Sequence, residues 1–401
     1  MKILFLSDDF PPNNLGGAGT VAYNLAKTIK ELGHDVFVVS TTQDKNEEGD
    51  HIQNGLRVYK IYSQYHRRWR AYLSLYNPQT VNKVSKIIAD IKPDVVHAHN
   101  IHYHLSYYCL KIAKKSGAKV FLTAHDVMSV NYGKIKIPKE ATCENYINYT
   151  KQTVFNQIRE NKRRYNLFRN VIIKHYLNKY VDKIFAVSVA LKKILIYNGI
   201  RNVEVVHNGI DVNMYEIDLE AVSIFKKTND LENKRVILFG GRVSEGKGIN
   251  QIIQALGLIL KTIPNALLVV AGSDNLEIGR VILPVKFLGY LSQKNIKLAL
   301  VASDIVVSPS ICCDPFPNIN LEAMACKKPV ISTCFGGSSE VVTEGKTGYI
   351  INPYDIKTMA DRIVDLLKSS EKSREFGQRG YEQIRDFFNL RQQAEKYLNY
   401  Y

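Results

Sequence analysis

The chain lacks any apolar run of the ~18 to 20 residues that a membrane-spanning helix requires. At the N-terminus, Met-Lys-Ile-Leu-Phe-Leu-Ser-Asp-Asp is too short an apolar stretch for a signal peptide, and two acids follow it at once. It is expected to be a first strand, and the chain cytoplasmic. Cysteine is sparse as well: Cys109, Cys143, Cys312, Cys313, Cys326 and Cys334 form no C-x-x-C pair and no zinc-type spacing. Plain loop and core thiols in a reducing compartment are the expectation. No low-complexity linker interrupts the 401 residues, which suffice for two domains that each bury a core.

Acids are scarce in one half only. Residues 1–210 carry 31 Lys and Arg against 16 Asp and Glu, whereas residues 211–401 carry 23 against 22, so nearly all of the net charge of +16 sits in the first half. It concentrates in Lys151 to Tyr180, where Lys151, Arg159, Lys162, Arg163, Arg164, Arg169, Lys174 and Lys179 face the single acid Glu160. Phe155, Tyr165, Phe168, Tyr176 and Tyr180 are interleaved with them. Such a stretch suits an anionic acceptor, nucleic acid or an acidic bilayer surface; it equally suits a solvated helix face whose aromatics pack inward.

Apolar periodicity supplies the fold class. Lys2 to Ser7 reads as a buried parallel strand, Gly17 to Leu32 as an amphipathic helix ended by Gly33, and Asp35 to Ser40 as the next strand. Further strands are expected at Gly55 to Ile61, Val95 to Ala98, Val120 to Thr123 and Ile184 to Val187, with helices over Pro78 to Ile91, Leu105 to Ser116 and Val154 to Tyr180. The alternation restarts at Arg235 to Phe239 and continues through Gly248 to Thr262, Ala266 to Ala271, Val285 to Gly289, Ser303 to Ser308, Pro329 to Ser332 and Thr347 to Ile350. Two such series imply an α/β protein of two facing Rossmann-like domains with the ligand cleft at the carboxyl ends of both sheets. The join is expected near Val203 to Met214.

Several loops carry chemistry. In Ser308-Pro-Ser-Ile-Cys-Cys-Asp314-Pro-Phe-Pro-Asn-Ile-Asn-Leu-Glu322, two acids flank the junction of a strand-end loop and a helix start. Helix-start N–H groups receive phosphate or sugar hydroxyls, and a carboxylate beside them accepts from the vicinal hydroxyls of a sugar or ribose. The pattern suits a sugar nucleotide. In Phe239-Gly-Gly-Arg242-Val-Ser-Glu-Gly-Lys247-Gly248, an Arg and a Lys five residues apart on a strand-to-helix loop both reach a diphosphate. The first loop, Ser7 to Thr20, holds Gly16, Gly17 and Gly19 before a helix, but G-x-G-x-x-G is missing and the second strand ends Val-Ser-Thr-Thr without the acid that NAD would need. His97, His99, His102 and His104 cluster without a carboxylate or cysteine at usual ligand spacing, so no metal is expected.

The run from Asp314 to Glu322, continued by Ala-Met-Ala-Cys-Lys-Lys-Pro-Val-Ile and Gly336-Gly337, resembles the signature of retaining glycosyltransferases of family 4, which have the GT-B fold. Asp314 stands where that family has its first Glu, and Lys327 or Lys328 where it usually has Gly. The resemblance covers most of the chain in order, and is weakest between Asp126 and Val181. It implies residues 1–204 as the acceptor-side domain, residues 205–385 as the nucleotide-sugar domain, and residues 386–401 as a helix crossing back to the first.

It further implies roles for individual residues. Arg242 and Lys247 would neutralise the donor diphosphate, with Gly16 and Gly17 against the phosphates and acceptor. Glu322 would hold the ribose. Asp314, Phe316, Pro317 and Asn318 would hold the transferred sugar, with Asn320 and Leu321 completing the donor site and Gly289 and Tyr290 meeting the base. His125 would sit near the donor sugar. Together with Asp314 and Glu322 it makes the expected catalytic set. His97, His99, Asp126 and Asn208 would line the acceptor side. The implied reaction moves a sugar from a nucleotide-diphosphate sugar to a saccharide or lipid-linked acceptor with retention, in cell-surface glycan or glycolipid synthesis. It needs no metal or cofactor and involves no nucleic acid. The basic segment 151–180 is the candidate contact for an anionic membrane, peripheral at its inner face. A GT-B nucleotide-sugar epimerase and a non-catalytic binding relative are the alternatives. A retaining glycosidase also pairs carboxylates, but ~5 Å apart about a glycosidic bond, and the phosphate-binding elements suit a transferase better.

Overall fold

A computed structural model describes residues 1–11, 16–162, 165–241, 243–272 and 282–401. The chain divides into two units: Met1–Ile135, Thr150–Asn208 and Leu390–Tyr401 form the first, and Lys136–Tyr149 and Gly209–Asn389 the second.

The first unit is built on β1 (Lys2–Leu6), β2 (Asp35–Thr42), β3 (Gly49–Gln53), β4 (Leu56–Tyr62), β5 (Val95–Ala98), β6 (Lys119–Ala124), β7 (Lys183–Ala186) and β8 (Val203–Val205). They form one sheet in the order β3-β4-β2-β1-β5-β6-β7-β8, parallel except for the β3 and β4 pair. Its helices are α1 (Gly17–Glu31), α2 (Arg70–Leu73), α3 (Pro78–Ile91), α4 (Tyr108–Lys115), α5 (Val154–Asn161), α6 (Arg169–Tyr180) and α7 (Val189–Tyr197). Ile3, Leu4, Phe5 and Leu6 are fully buried, as a central strand covered on both faces must be. Each such side chain contributes about 1.5–3 kcal/mol relative to exposure.

The second unit contains α8 (Leu219–Thr228), β9 (Arg235–Gly240), α9 (Ile249–Ile259), β10 (Ala266–Ala271), β11 (Val285–Gly289), α10 (Gln293–Ala302), β12 (Ile305–Ser308), α11 (Asn318–Ala325), β13 (Val330–Thr333), β14 (Gly348–Ile351), α12 (Ile356–Lys368) and α13 (Ser370–Phe387). Its sheet is wholly parallel in the order β11-β10-β9-β12-β13-β14. The last helix, α14 (Leu390–Leu398), belongs to the first unit, where Ala394, Tyr397 and Tyr401 join the core of Phe5, Phe121 and Phe185.

Three expectations need correction. The helix expected over Val154 to Tyr180 is two: Lys162 ends α5 at a positive φ of 50°, and Asn166 holds the turn before α6 by accepting from Phe168 N–H at 3.0 Å. Residues 163–164 lie outside the described residues. Lys136–Tyr149, expected in the first domain, packs on the second unit: Ile137 N–H donates to Ile311 O at 3.0 Å, and Asn352 and Tyr354 donate to Ala141 O and Ile137 O. That placement brings Cys143 to Cys334, 191 residues on, and the two form a disulfide where six free thiols were expected. Sequence spacing could not show a pairing that depends on where a strap is laid.

Candidate functional site

In each sheet the strand order reverses beside a central strand, and loops leaving adjacent strands on opposite sides of the reversal open a crevice at their carboxyl ends. In the second unit these strands are β9 and β12. The loop after β9 turns through Glu245–Lys247 into Gly248, at φ 81°. A Cβ on Gly248 would stand 1.9 Å from the Pro309 carbonyl oxygen, so only glycine allows the β9 loop to lie on the β12 loop. Ile311 and Cys312 N–H both donate to Gly246 O at 3.2 Å and hold the two loops together.

This packing delivers Lys247 to Asp314. The ammonium hydrogen-bonds the carboxylate, which also accepts from Ser310 Oγ at 3.2 Å. Behind it, Asp314 N–H donates to Phe335 O at 2.9 Å and Gly337 N–H to Asp314 O at 3.0 Å. Gly336, at φ 129°, is obligatory because a Cβ there would lie 1.9 Å from Asp314 O. A narrow cleft remains, lined by Phe239, Gly240, Lys247, Ser310, Asp314 and Pro317. Arg242 lies outside the described residues.

Pro317 precedes α11, and Asn318 is its first residue. Glu322 lies one turn in. Burial pushes its carboxyl up to about 7, against the pull of Lys297, and among the described residues it accepts no hydrogen bond. It is thus an acceptor group held ready at a helix start. Asn320 does something other than expected: Ser308 Oγ donates to its Oδ1 at 2.8 Å and its Nδ2 donates to Ser332 Oγ at 3.0 Å. Its amide ties the ends of β12 and β13 and is fully buried. Leu321, 1% exposed, is a core residue and offers a ligand no side chain. Phe316 is buried with its ring 6.1 Å from Phe388. Gly289 takes φ 65° at the end of β11, and Tyr290 beside it is 75% exposed.

In the first unit the reversal lies between β1 and β5. Asp8, just after β1, accepts from the N–H groups of Tyr103, His104 and Leu105 at 2.6, 2.9 and 2.6 Å, fixing the loop after β5. Even so, desolvation raises its carboxyl to about 7. Gly16 caps α1 and Gly17 begins it; residues 12–15 of that loop lie outside the described residues.

The histidines separate into two kinds. His97 is fully buried, its Nδ1 bonded to the Tyr401 hydroxyl and its Nε2 to Thr123 Oγ1 at 2.8 Å. Both nitrogens are spent, so it buttresses the site rather than lining it. His99 meets His125 through Nδ1 and Nε2 at 2.8 Å with the rings stacked. Asp126 and His102 approach to 3.5 Å. Desolvation lowers His97 to about 3, His102 and His125 to about 4, and His99 well below its usual value. These imidazoles are neutral near pH 7, and the partly open His125 is the one fit to exchange hydrogen bonds with hydroxyls. His125 and Asp126 keep part of their surface open, whereas Asn208 is buried at the end of this unit.

Sequence reasoning missed Asp8, Ser310 and Lys297. Asp8 and Lys297 act on partners in another loop or helix, and Ser310 acts within its own loop, four residues before Asp314, where no spacing rule marks it.

Comparison with known proteins adds an independent line. Residues 15–214 match the family described as Glycosyltransferase Family 4, and residues 222–383 the one described as Glycosyl transferases group 1. An uncharacterized glycosyltransferase of Methanocaldococcus jannaschii is 26% identical over 383 residues, covering 91% of this chain and 89% of its own. The sucrose-phosphate synthase of Thermosynechococcus elongatus superposes with a TM-score of 0.76 at 17% identity, over 100% of this chain and 98% of its own. HepE of Anabaena, solved in complex with UDP-glucose, gives 0.72 at 21% identity over 100% of both chains. Two parallel-sheet units, crevice-forming loops at their strand reversals, and matched stretches spanning nearly the whole chain agree: this chain belongs to the family 4, group 1 glycosyltransferases, enzymes of the GT-B fold.

Proposed function

We propose that this enzyme transfers a sugar, with retention, from a nucleotide-diphosphate sugar to a saccharide or glycolipid acceptor in cell-surface glycan or glycolipid synthesis. The observation that carries the reading is the second unit's crevice, where Lys247 meets Asp314 on the loop that leads into α11, the helix that carries Glu322. As the bond from the anomeric carbon to the leaving diphosphate breaks, charge grows on the phosphate oxygens. Lys247 and the helix-start amides stabilise that charge, and Arg242 is assigned the same role from its place in the loop. Asp314, released from Lys247 by the diphosphate, receives sugar hydroxyls, while Glu322 accepts from the ribose. With cationic groups on the diphosphate, no metal is required.

HepE was solved with UDP-glucose, which supports a nucleotide sugar as donor here. Incubation with a panel of nucleotide sugars, with and without acceptor extract, should yield nucleoside diphosphate. Lys247→Ala should abolish release while the protein stays folded; full turnover in that variant would refute the diphosphate assignment. Release in the absence of any transfer would instead mark an epimerase or hydrolase.

The acceptor is assigned to the first unit. Phe155, Phe168, Val171 and Leu167 are 72%, 68%, 57% and 49% exposed among the basic residues of 151–180. Aromatic side chains that stand out between cations suit an anionic bilayer surface. Co-sedimentation should therefore favour vesicles with anionic lipid, and equal recovery with neutral vesicles would overturn this part of the reading.

A further inference from the structure

Arg169 opens α6 and is fully buried. Its Nη1 donates to Asn170 Oδ1 at 2.9 Å, but its Nε and Nη2 have no hydrogen-bond partner. The Tyr132 ring is shared by two guanidinium groups, with Arg169 Cζ 5.3 Å and Arg70 Cζ 4.8 Å from its centroid. Arg70 also lies 5.1 Å from the Tyr103 centroid, and its Nε is likewise buried and unpartnered. Among the described residues neither guanidinium forms an ion pair. Asp126 stands against His102 instead, and Asp8 is occupied by three backbone N–H groups.

Tyrosine does not balance this charge. Burial raises the phenols of Tyr107 and Tyr165, which therefore stay neutral and act on Arg169 through their dipoles and faces. Burial also lowers Arg169, with Arg70 adding to that effect, yet a guanidinium stays protonated in proteins. Two cations thus share one aromatic platform without a carboxylate. A buried charge is kept when a partner balances it, and the forked N–H donors of arginine match oxyanions. The residues in question follow β4, β5 and β6, on the carboxyl side of the sheet where His125 and Asp126 lie. Arg70 is only partly buried, and is the group a ligand meets first.

We propose that Arg70 and Arg169 bind an oxyanion group, phosphate or carboxylate, carried by the acceptor. The inference rests on the acceptor-side reading of the first unit, and it narrows the acceptor to an anionic one.

The test uses the full chain carrying Lys247→Ala, so that the diphosphate loop does not supply the signal. Inorganic phosphate and acetate are titrated separately by calorimetry at fixed ionic strength, with chloride as the comparison. At least one of them should bind, and which one identifies the group. Adding Arg169→Gln or Arg70→Gln should weaken binding by at least roughly tenfold, and Arg169→Lys, which keeps charge without the fork, should weaken it less. Arg70→Gln carries the test if Arg169→Gln does not fold. Failure of both anions to bind, or equal binding by the glutamine variants, overturns the proposal. An Arg169→Met protein with a higher unfolding midpoint and unchanged anion affinity would likewise overturn it, making Arg169 a packing residue. Donor turnover by the unmodified protein is scored separately, so that loss of this site and loss of the transferase reading are distinct outcomes.

Discussion

Replacing Glu322 with Gln removes a carboxyl whose folded value, about 7, stands above its ordinary 4.5. The sign is set by proton binding: between those two values the folded state holds a proton that the unfolded chain has released, so stability falls as pH rises through that window. The full rise corresponds to roughly 3 kcal/mol of destabilisation by the ionised side chain at about pH 8. Glu322→Gln should therefore raise urea-unfolding stability at about pH 8 by up to that amount and leave it little changed near pH 4. Donor binding should move oppositely. Ribose hydroxyls favour the ionised acceptor, so below about pH 7 binding should release up to one proton, measured by calorimetry in buffers of different ionisation enthalpy. The variant should release none, and should bind nucleoside diphosphate more weakly by about 1.5–3 kcal/mol, the usual worth of a charged hydrogen bond. A variant less stable than the parent at high pH would refute the burial argument, and one of equal donor affinity would refute the ribose role.

Gly248→Ala should cost about 3 kcal/mol or more, since its Cβ would meet the Pro309 carbonyl oxygen at 1.9 Å on a backbone at φ 81°. Turnover should fall with it as Lys247 is displaced; chemical unfolding beside a kinetic assay checks both, and a stable, active variant would contradict the loop packing. Cys143→Ser should lower stability by about 2–4 kcal/mol, because the bond closes a loop between residues 191 apart. Dithiothreitol should bring the parent protein down to the variant's value, and a parent insensitive to reductant would contradict the pairing.

The parts of the fold legible in the sequence are those whose signal is local. Leu4 to Leu6 and Leu268 to Val270 are continuous apolar runs because both faces of a parallel strand are covered. Gly49–Gln53 went unrecognised because this edge strand is polar and largely exposed, which resembles a loop. Asn166, which forms the turn before α6 within the stretch expected to be one helix, carries a stop signal easily lost among helix-forming neighbours. Within the candidate site, Lys247, Asp314 and Glu322 could be picked out because each sits at a fixed offset from a strand end. Asn320 and His97, expected from the resemblance, have their side chains bonded within the fold. Position along the chain shows which side chains approach the crevice, but the partner that claims them, such as Ser332 or Tyr401, comes from another element.

The placement of α14 bears on how the protein is made. Tyr397 and Tyr401 complete a core begun by Ile3 and Phe5, and the Tyr401 hydroxyl closes on His97. On the ribosome the first unit must therefore wait, with part of its apolar interior uncovered, until residues 390–401 emerge. The second unit, whose strap at residues 136–149 is already synthesised, has all its parts by residue 389. Vectorial synthesis thus lets the later-encoded unit finish first, and leaves the apolar interior of the earlier one uncovered for longer.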